Sequence, residues 1–553
     1  MARPARADTV AVQSTGAEAQ DRQEARSNSS APLLLAAASA LAVLIANLSG
    51  IATGDDGVGY RAIADSLLAG DGYGYFLERP VTVWPPVWPS LMAFVAKVTP
   101  LDTMGAVIVL NAAVAFAVVL VGNRLLRRVV DDDRLVLLGT LVFALGPSTI
   151  GLGHVLMTDM AFALVVMAWM LTLMRFRDTS SLVTLCGAAG WAWIGFGLRY
   201  VGLVLIAFGG LWLLLDLRRR FTLRLRDGVL YGLVASVVPL AWMLRNHSID
   251  GSFTGERHPS ARGLIDNLFD VVATLGRFLL PGLGNAMTYL WAAVGLVVLG
   301  AASLLAFWVL RLPAGTSAAD AGAERLGAAA IVTRVWRALG TPVGLVFLFP
   351  TLYMAYMVYV RTTTALNQLD LRLLYPAYFP LMVLALVLVS RLRRLDDGTP
   401  GGDRWWRVGL GTAHVWAVAN VVAGLVAMVA FAAGHPYFTG NYESDTFDEV
   451  RANPALDALP ADCTVYSNVP NGLYPELGAH WSPQRRALES SEEIPDLEEI
   501  TATLDDTPSC LVWIDEDPVW GHLWTLEQLQ DRLELTELDR HGNVTVFRMQ
   551  PPT

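Results

Sequence analysis

Apolar stretches near 20 residues long constrain this chain more than any other feature. The first, "LLLAAASALAVLIANLSG", ends beside the polar stretch "GDDGVGY", and comparable runs recur up to about residue 433. A helix needs roughly 20 apolar residues to cross a hydrocarbon layer about 30 Å thick. On that measure spans are expected at 31–51, 104–123, 135–152, 160–174, 181–197, 198–215, 228–244, 286–310, 341–360, 373–390 and 408–433. The composition agrees: 54% of the 553 residues are hydrophobic, only 16% are charged, and the mean hydropathy is +0.45. An ordinary soluble domain is less apolar than this. The expected fold is mostly α, a polytopic membrane helical bundle of about 11 spans with a small C-terminal α/β extracytoplasmic domain.

Arginine gives the orientation. Arg124, Arg127, Arg128 and Arg134, then Arg175 and Arg177, then Arg218, Arg219, Arg220, Arg224 and Arg226, then Arg311, Arg325, Arg334 and Arg337, and finally Arg391, Arg393, Arg394, Arg404 and Arg407 fall on every second connection. The positive-inside rule assigns those connections to the cytoplasm. The N-terminus is then cytoplasmic, and residues 1–30, polar and without aromatic side chains, read as a disordered leader. The apolar run after them is long for a signal peptide and lacks a clear small-x-small cleavage site, so it reads as a retained first span. The chain is expected in the plasma membrane, with Asp55, Asp56 and the C-terminal tail on the outer side.

Three units follow: the leader 1–30, a transmembrane domain 31–433 and a soluble domain 434–553. The last unit holds 23 acidic residues against six arginines, about −17 in a chain whose total is −10. Its runs "CTVYSNV", "CLVWIDE" and "NVTVFRM" read as strands separated by helical stretches, a small α/β fold with a partly parallel sheet. Cys463 and Cys510 open the first two strands. Either a disulfide in an oxidising compartment or two small buried residues on neighbouring strands accounts for them. Cys186, inside a span, reads as packing.

Ionisable residues at the edge of apolar spans are costly and mark reaction sites or substrate paths, unless they are ordinary interfacial charges. Asp55 and Asp56 open a loop that runs to about residue 98. There Tyr60, Ile63, Ala64, Leu67 and Leu68 recur at helical spacing, as in a helix lying on the membrane surface. "WPPVWP" then imposes an extended aromatic turn before an apolar helix too short to span. Asp159, in "MTDM", starts the fourth span at the same depth, where helix capping is the competing explanation. Arg199 begins the sixth span, and Arg79, Arg245, Arg257, Arg262 and Arg372 also lie outside, against the usual bias. Guanidinium groups grip phosphate in a two-pronged way, so outer arginines facing outer aspartates suit a lipid-linked phosphate.

Five pieces of the sequence carry a family resemblance: Asp56-Gly57-Val58-Gly59-Tyr60 with Ala64, Leu67 and Gly70; "VTVWPPVWPSLMA"; "MTDM"; "GLRYVGL"; and "WMLRNHSIDGSFTGERHPS" with "LDLRLLYPAYFPL". In this order, over residues 31–390, the chain resembles the C-type superfamily of integral-membrane glycosyltransferases, in particular protein O-mannosyltransferases and the aminoarabinose transferase of lipid A. The resemblance implies a polyprenyl-phosphate sugar as donor and a hydroxyl of the cell envelope as acceptor, with inversion at the sugar. It implies Asp56 as the base, with the spacing to Tyr60 kept and Tyr60 itself at the substrate, Asp55 as the neighbour or substitute of Asp56, and Asp159 as the acid that positions acceptor or base. It implies Arg199 and Arg372 at the donor phosphate, with Arg79 and Arg257 as further candidates. The family often has Asp-Glu where this chain has Asp-Asp, which leaves the division of roles between Asp55 and Asp56 open.

Two carboxylates and a phosphate offer hard oxygen ligands to magnesium or manganese, whereas arginines at the phosphate make a metal unnecessary. The sequence has no zinc-spaced His/Cys cluster, and His154 stands alone. A secondary transporter would place ionisable groups deep within broken helices. A scaffold or receptor acting through the C-terminal domain would leave the acids and arginines unexplained. No nucleotide-binding loop appears, and nothing basic and aromatic enough for nucleic acid. The C-terminal domain reads equally as an acceptor-binding unit and as a packing or assembly module.

Overall fold

The computed structural model describes residues 30–76, 80–279, 287–311, 335–393, 402–435, 440–515 and 520–552. The expected leader up to residue 29 and Arg79, Arg325, Arg334 and Arg394 lie outside the described residues. The helices that build the membrane part are α1 (Ala31–Ala46), α2 (Asp55–Ala69), α3 (Val87–Val98), α4 (Thr103–Val129), α5 (Asp133–Leu145), α6 (Pro147–Gly153), α7 (Asp159–Thr179) and α8 (Leu182–Leu198). They continue with α9 (Leu203–Leu215), α10 (Phe221–Asp250), α11 (Leu264–Arg277), α12 (Thr288–Arg311), α13 (Pro342–Thr363), α14 (Leu371–Leu392) and α15 (Gly402–Ala432).

Among the described residues, seven helices are long and apolar enough to cross a membrane: Thr103–Val129, Asp133–Gly153, Asp159–Thr179, Phe221–Asp250, Pro342–Thr363, Leu371–Leu392 and Arg404–Ala432. The chain is an integral membrane protein. Three of the other four expected spans fall on shorter apolar helices, Ala31–Ala46, Leu182–Leu198 and Tyr200–Leu215, and the fourth falls on the 24-residue α12. The expected division near residue 198 is present. Helix α8 stops at Leu198, Arg199 is extended with φ −151° and ψ 134°, and a short 3₁₀ turn leads into α9. Gly202 makes this reversal feasible, because a Cβ there would lie 2.3 Å from the Gly195 carbonyl carbon.

Four of the arginine clusters lie together at one end of the bundle. Arg128 at the end of α4 pairs with Asp178 at the end of α7, and Arg393 after α14 pairs with Asp132 before α5 at 3.2 Å. Arg177 lies 3.7 Å from Asp216 after α9, and Arg218 donates to the Arg177 carbonyl at 3.0 Å. Helices α8 and α9 therefore form a hairpin whose two ends share this face.

The C-terminal part carries a five-stranded sheet in the order β2-β1-β3-β5-β4, with β1 at Thr464–Ser467, β2 at His480–Trp481, β3 at Ser509–Ile514, β4 at Glu534–His541 and β5 at Val544–Gln550. β1 is parallel to β2 and β3, while β5 is antiparallel to β3 and β4, so the sheet is partly parallel as expected. Cys463 and Cys510 form a disulfide between the starts of the adjacent strands β1 and β3. Alternation along β3 divides its side chains between two cores. Leu511 and Trp513 join Leu529, Phe547 and Met549 on one face; Val512 and Ile514 join Val465, Val544 and Val546 on the other. That second core also contains Val58 and Ala62 of α2, so the acid-bearing helix is packed into the C-terminal sheet. The expected surface helix is instead a shared one: Tyr60 and Ala64, on its other side, belong to the core of the membrane bundle.

Candidate active site

Two extended segments bring the acids together. Ala52 and Val155 form a parallel bridge, in which the Ala52 amide donates to the His154 carbonyl and the Leu156 amide donates back to the Ala52 carbonyl, both at 2.9 Å. Three or four residues further on, each segment enters a helix in its first turn, α2 with Asp55 and Asp56, α7 with Asp159. Asn111 fixes the second segment from α4, its amide donating to the Gly153 and Val155 carbonyls at 3.2 and 3.1 Å. The glycines of "GDDGVGY" permit the close fit. A Cβ on Gly57 would lie 3.1 Å from the Leu156 carbonyl oxygen, and one on Gly59 would sit 2.6 Å from the Trp84 ring.

Asp56, Arg372, Asp159 and Arg199 form one alternating chain of charge. Arg372 pairs with Asp56 through Nη2, and its Nε lies 3.4 Å from Asp159 Oδ2. Arg199 Nη1 donates to Asp159 Oδ1 at 2.5 Å. Arg372 is aimed by the cap of its helix, since Asp370 accepts from the Arg372 and Leu373 amides at 3.0 and 3.1 Å. The Asp159 side chain is 1% exposed and that of Asp56 is 36% exposed. The two acids are thus unequal: Asp159 is sealed behind two guanidinium groups, while Asp56 keeps a solvent-facing edge. Burial pushes the Asp56 carboxyl up, but Arg372 beside it and the Trp84 N–H outweigh this and hold it below the usual carboxylate value.

Adjacent residues on a helix point about 100° apart, and Asp55 turns away from this chain of charge. Its Oδ1 accepts from Tyr442 and from Asn471, both at 2.7 Å and both in the C-terminal part. Asp55, expected as the neighbour or substitute of Asp56, therefore has its side chain turned to a different part of the molecule. Tyr60, expected to bind substrate, is buried under the site with its ring 6.4 Å from that of Trp84. Arg257, in the loop after α10, is exposed, and its guanidinium donates to the Thr254 carbonyl at 2.7 Å. Asp56, Tyr200 and Tyr356 lie within its electrostatic reach.

Sequence reasoning passed over Trp84, which donates from Nε1 to Asp56 at 3.2 Å. Its loop is held along the backbone: Arg245 donates to the Val81 carbonyl and Tyr200 to the Thr82 carbonyl, each at 2.5 Å, and Tyr73 donates to the Trp84 carbonyl at 2.9 Å. The "WPPVWP" motif marked an aromatic turn here; nothing in it identified which indole meets the acid. His154 serves packing. Its ring stacks on Phe431 at 4.5 Å and its Nδ1 lies 3.2 Å from Asn47 Oδ1, while burial pushes its pKa down to about 4. For magnesium or manganese the fit is poor. Asp56 and Asp159 are both engaged by arginine, and among the described residues no three His, Cys, Asp or Glu side chains gather as a metal site.

In fold, this helical membrane bundle joined to a small α/β unit resembles the GT-C fold of solved membrane glycosyltransferases. The crystal structure of ArnT from Cupriavidus metallidurans bound to undecaprenyl phosphate matches over 93% of this chain and 97% of its own, at 13% identity, with a TM-score of 0.56. More distant matches are the archaeal oligosaccharyltransferase AglB from Archaeoglobus fulgidus in complex with an inhibitory peptide and a dolichol-phosphate (12% identity, 87% of this chain and 69% of that one, TM-score 0.47) and the arabinosyltransferase EmbB from Mycobacterium smegmatis (14% identity, 72% and 41%, TM-score 0.35). The likeness in fold rests on the first. No protein-family model and no curated protein sequence matches this chain.

Proposed function

We propose that this chain is a glycosyltransferase of the outer membrane face that moves a sugar from a polyprenyl phosphate to a hydroxyl of an envelope glycan, lipid or protein. The observation that carries the reading is the chain Asp56–Arg372–Asp159–Arg199, with one solvent-facing carboxylate at the end of a membrane bundle and two guanidinium groups behind it. The disulfide between Cys463 and Cys510 and the arginine-rich opposite end support an extracytoplasmic C-terminal domain and a cytoplasmic N-terminus.

In this reading Asp56 takes the proton of the acceptor hydroxyl as its oxygen attacks the anomeric carbon. The bond from that carbon to the phosphate oxygen breaks, the polyprenyl phosphate leaves with the electron pair, and the sugar inverts. Arg372 and Arg199 stabilise the charge that gathers on the leaving phosphate, with Arg257 and Arg79 as further contacts, and no general acid is needed. Asp159 positions the two guanidinium groups. A base paired with arginine is weak, so donor arrival has a second effect: the phosphate competes for Arg372 and frees Asp56 to accept a proton.

The test is transfer of radiolabelled sugar from a panel of polyprenyl-phosphate donors into membranes with and without the protein. Protein-dependent transfer that collapses in Asp56→Asn at normal protein levels supports the reading. Consumption of no donor, or an active Asp56→Asn variant, overturns it and favours the transporter or scaffold alternatives.

A further inference from the structure

Helix α2 presents two rows of side chains with different partners. Asp56, Tyr60 and Ala64, spaced at helical periodicity, turn towards the membrane bundle. Asp55, Val58, Arg61, Ala62 and Asp65 meet the C-terminal domain. Asp55 accepts from Tyr442 and Asn471, Arg61 pairs with Glu443 at 2.7 Å and lies over the Tyr474 ring at 5.6 Å, and Asp65 accepts from Tyr474 at 2.6 Å. The segment leading into the helix is also held from that side: the Thr53 amide donates to Asn441 Oδ1 at 2.8 Å and its carbonyl accepts from the Tyr442 amide at 2.9 Å.

From this we infer that the C-terminal domain sets the rotation of α2, with Tyr442 and Asn471 acting as positioning residues that hold Asp55 so that Asp56 faces Arg372. The inference rests on the function proposed above in assigning Asp56 the role of base. The rotation of a helix about its own axis moves every side chain at its radius, and Asp56 sits one residue from the fastening point. Loss of the Asp55 contacts frees the first turn, where Gly54 at the N-cap and Gly57 have no side chains to pack. Asn471 is itself fixed, accepting from Tyr75 at 2.9 Å, so the network runs from the aromatic loop through Asn471 to Asp55.

The experiment uses the full chain with Asn471→Ala, Tyr442→Phe, and the exchange Asp55→Asn with Asn471→Asp. The exchange reverses one hydrogen bond while keeping acceptors for Tyr75 and Tyr442, so it tests contact rather than residue identity. Hydrogen exchange of the α2 amides is read together with transfer kinetics. Faster exchange in Asn471→Ala, a fall in kcat between about tenfold and a hundredfold at an acceptor KM within twofold, and recovery of both in the exchanged pair support the inference. Unchanged exchange in α2 overturns it whether or not any transfer is measurable. Faster exchange with unchanged kcat in an active protein also overturns it while leaving the proposed function intact; wild-type protein that transfers no sugar counts against the function alone.

Discussion

Asp159→Asn and Asp56→Asn should fail in different ways. Asp159 is 1% exposed and meets Arg199 at 2.5 Å and Arg372 at 3.4 Å. An amide in its place offers one acceptor to two guanidinium groups and turns its NH2 towards one of them. Removing one partner of a buried ion pair costs about 3–5 kcal/mol, because the remaining charge stays desolvated. For a chain of this size roughly 1 °C accompanies each kcal/mol, so the melting temperature in detergent should fall by about 3–5 °C. Asp56 is 36% exposed, and Arg372 retains Asp159 when Asp56 is neutral. A partly exposed pair contributes up to about 1 kcal/mol, so Asp56→Asn should melt within about 1 °C of wild type. Its transfer rate should nonetheless fall at least about a hundredfold, the usual scale for loss of a general base. Unfolding followed by tryptophan fluorescence, beside initial transfer rates, separates the two variants. Equal melting temperatures for Asp159→Asn and wild type, or a larger loss of stability in Asp56→Asn, would refute the division into a buried organiser and an exposed base.

Arg372→Gln removes the charge that holds the Asp56 carboxyl below its usual value, so the acidic limb of the kcat/KM profile should move to higher pH; a limb that stays put denies the contact. With its folded pKa depressed, Asp56 contributes stability above the unfolded value of about 3.9, and this is lost as pH falls through the folded value. Gly59→Ala would set a Cβ 2.6 Å from the Trp84 ring, displacing the indole N–H from Asp56. Transfer should drop about tenfold, and a wild-type rate in this variant would sink the argument for the glycine. Transfer after chelation should stay within about twofold if arginine supplies the counter-charge; a collapse restored by manganese or magnesium would assign that task to a metal.

The acids and most of the arginines are visible in the sequence because ionisable groups beside apolar runs are conspicuous and costly. Their pairing is not. Arg372 and Asp56 lie 316 positions apart, and no local pattern links the cap at Asp370 to the turn at Gly54. The aromatic loop was equally visible as "WPPVWP", yet the indole that meets Asp56 is selected by backbone bonds from Tyr73, Tyr200 and Arg245, each on a different segment.

By itself, the sequence determined the apolar spans, the alternation of arginine clusters and the partly parallel C-terminal sheet, because each depends on composition or periodicity within one segment. Only the tertiary structure decided which of Asp55 and Asp56 meets the arginines. Side by side in sequence, they differ in the direction they leave the helix, and the helix was turned by what packed against it: Val58 and Ala62 into the C-terminal core, Tyr60 and Ala64 into the membrane bundle. One acid was left for the arginines and the other for Tyr442 and Asn471.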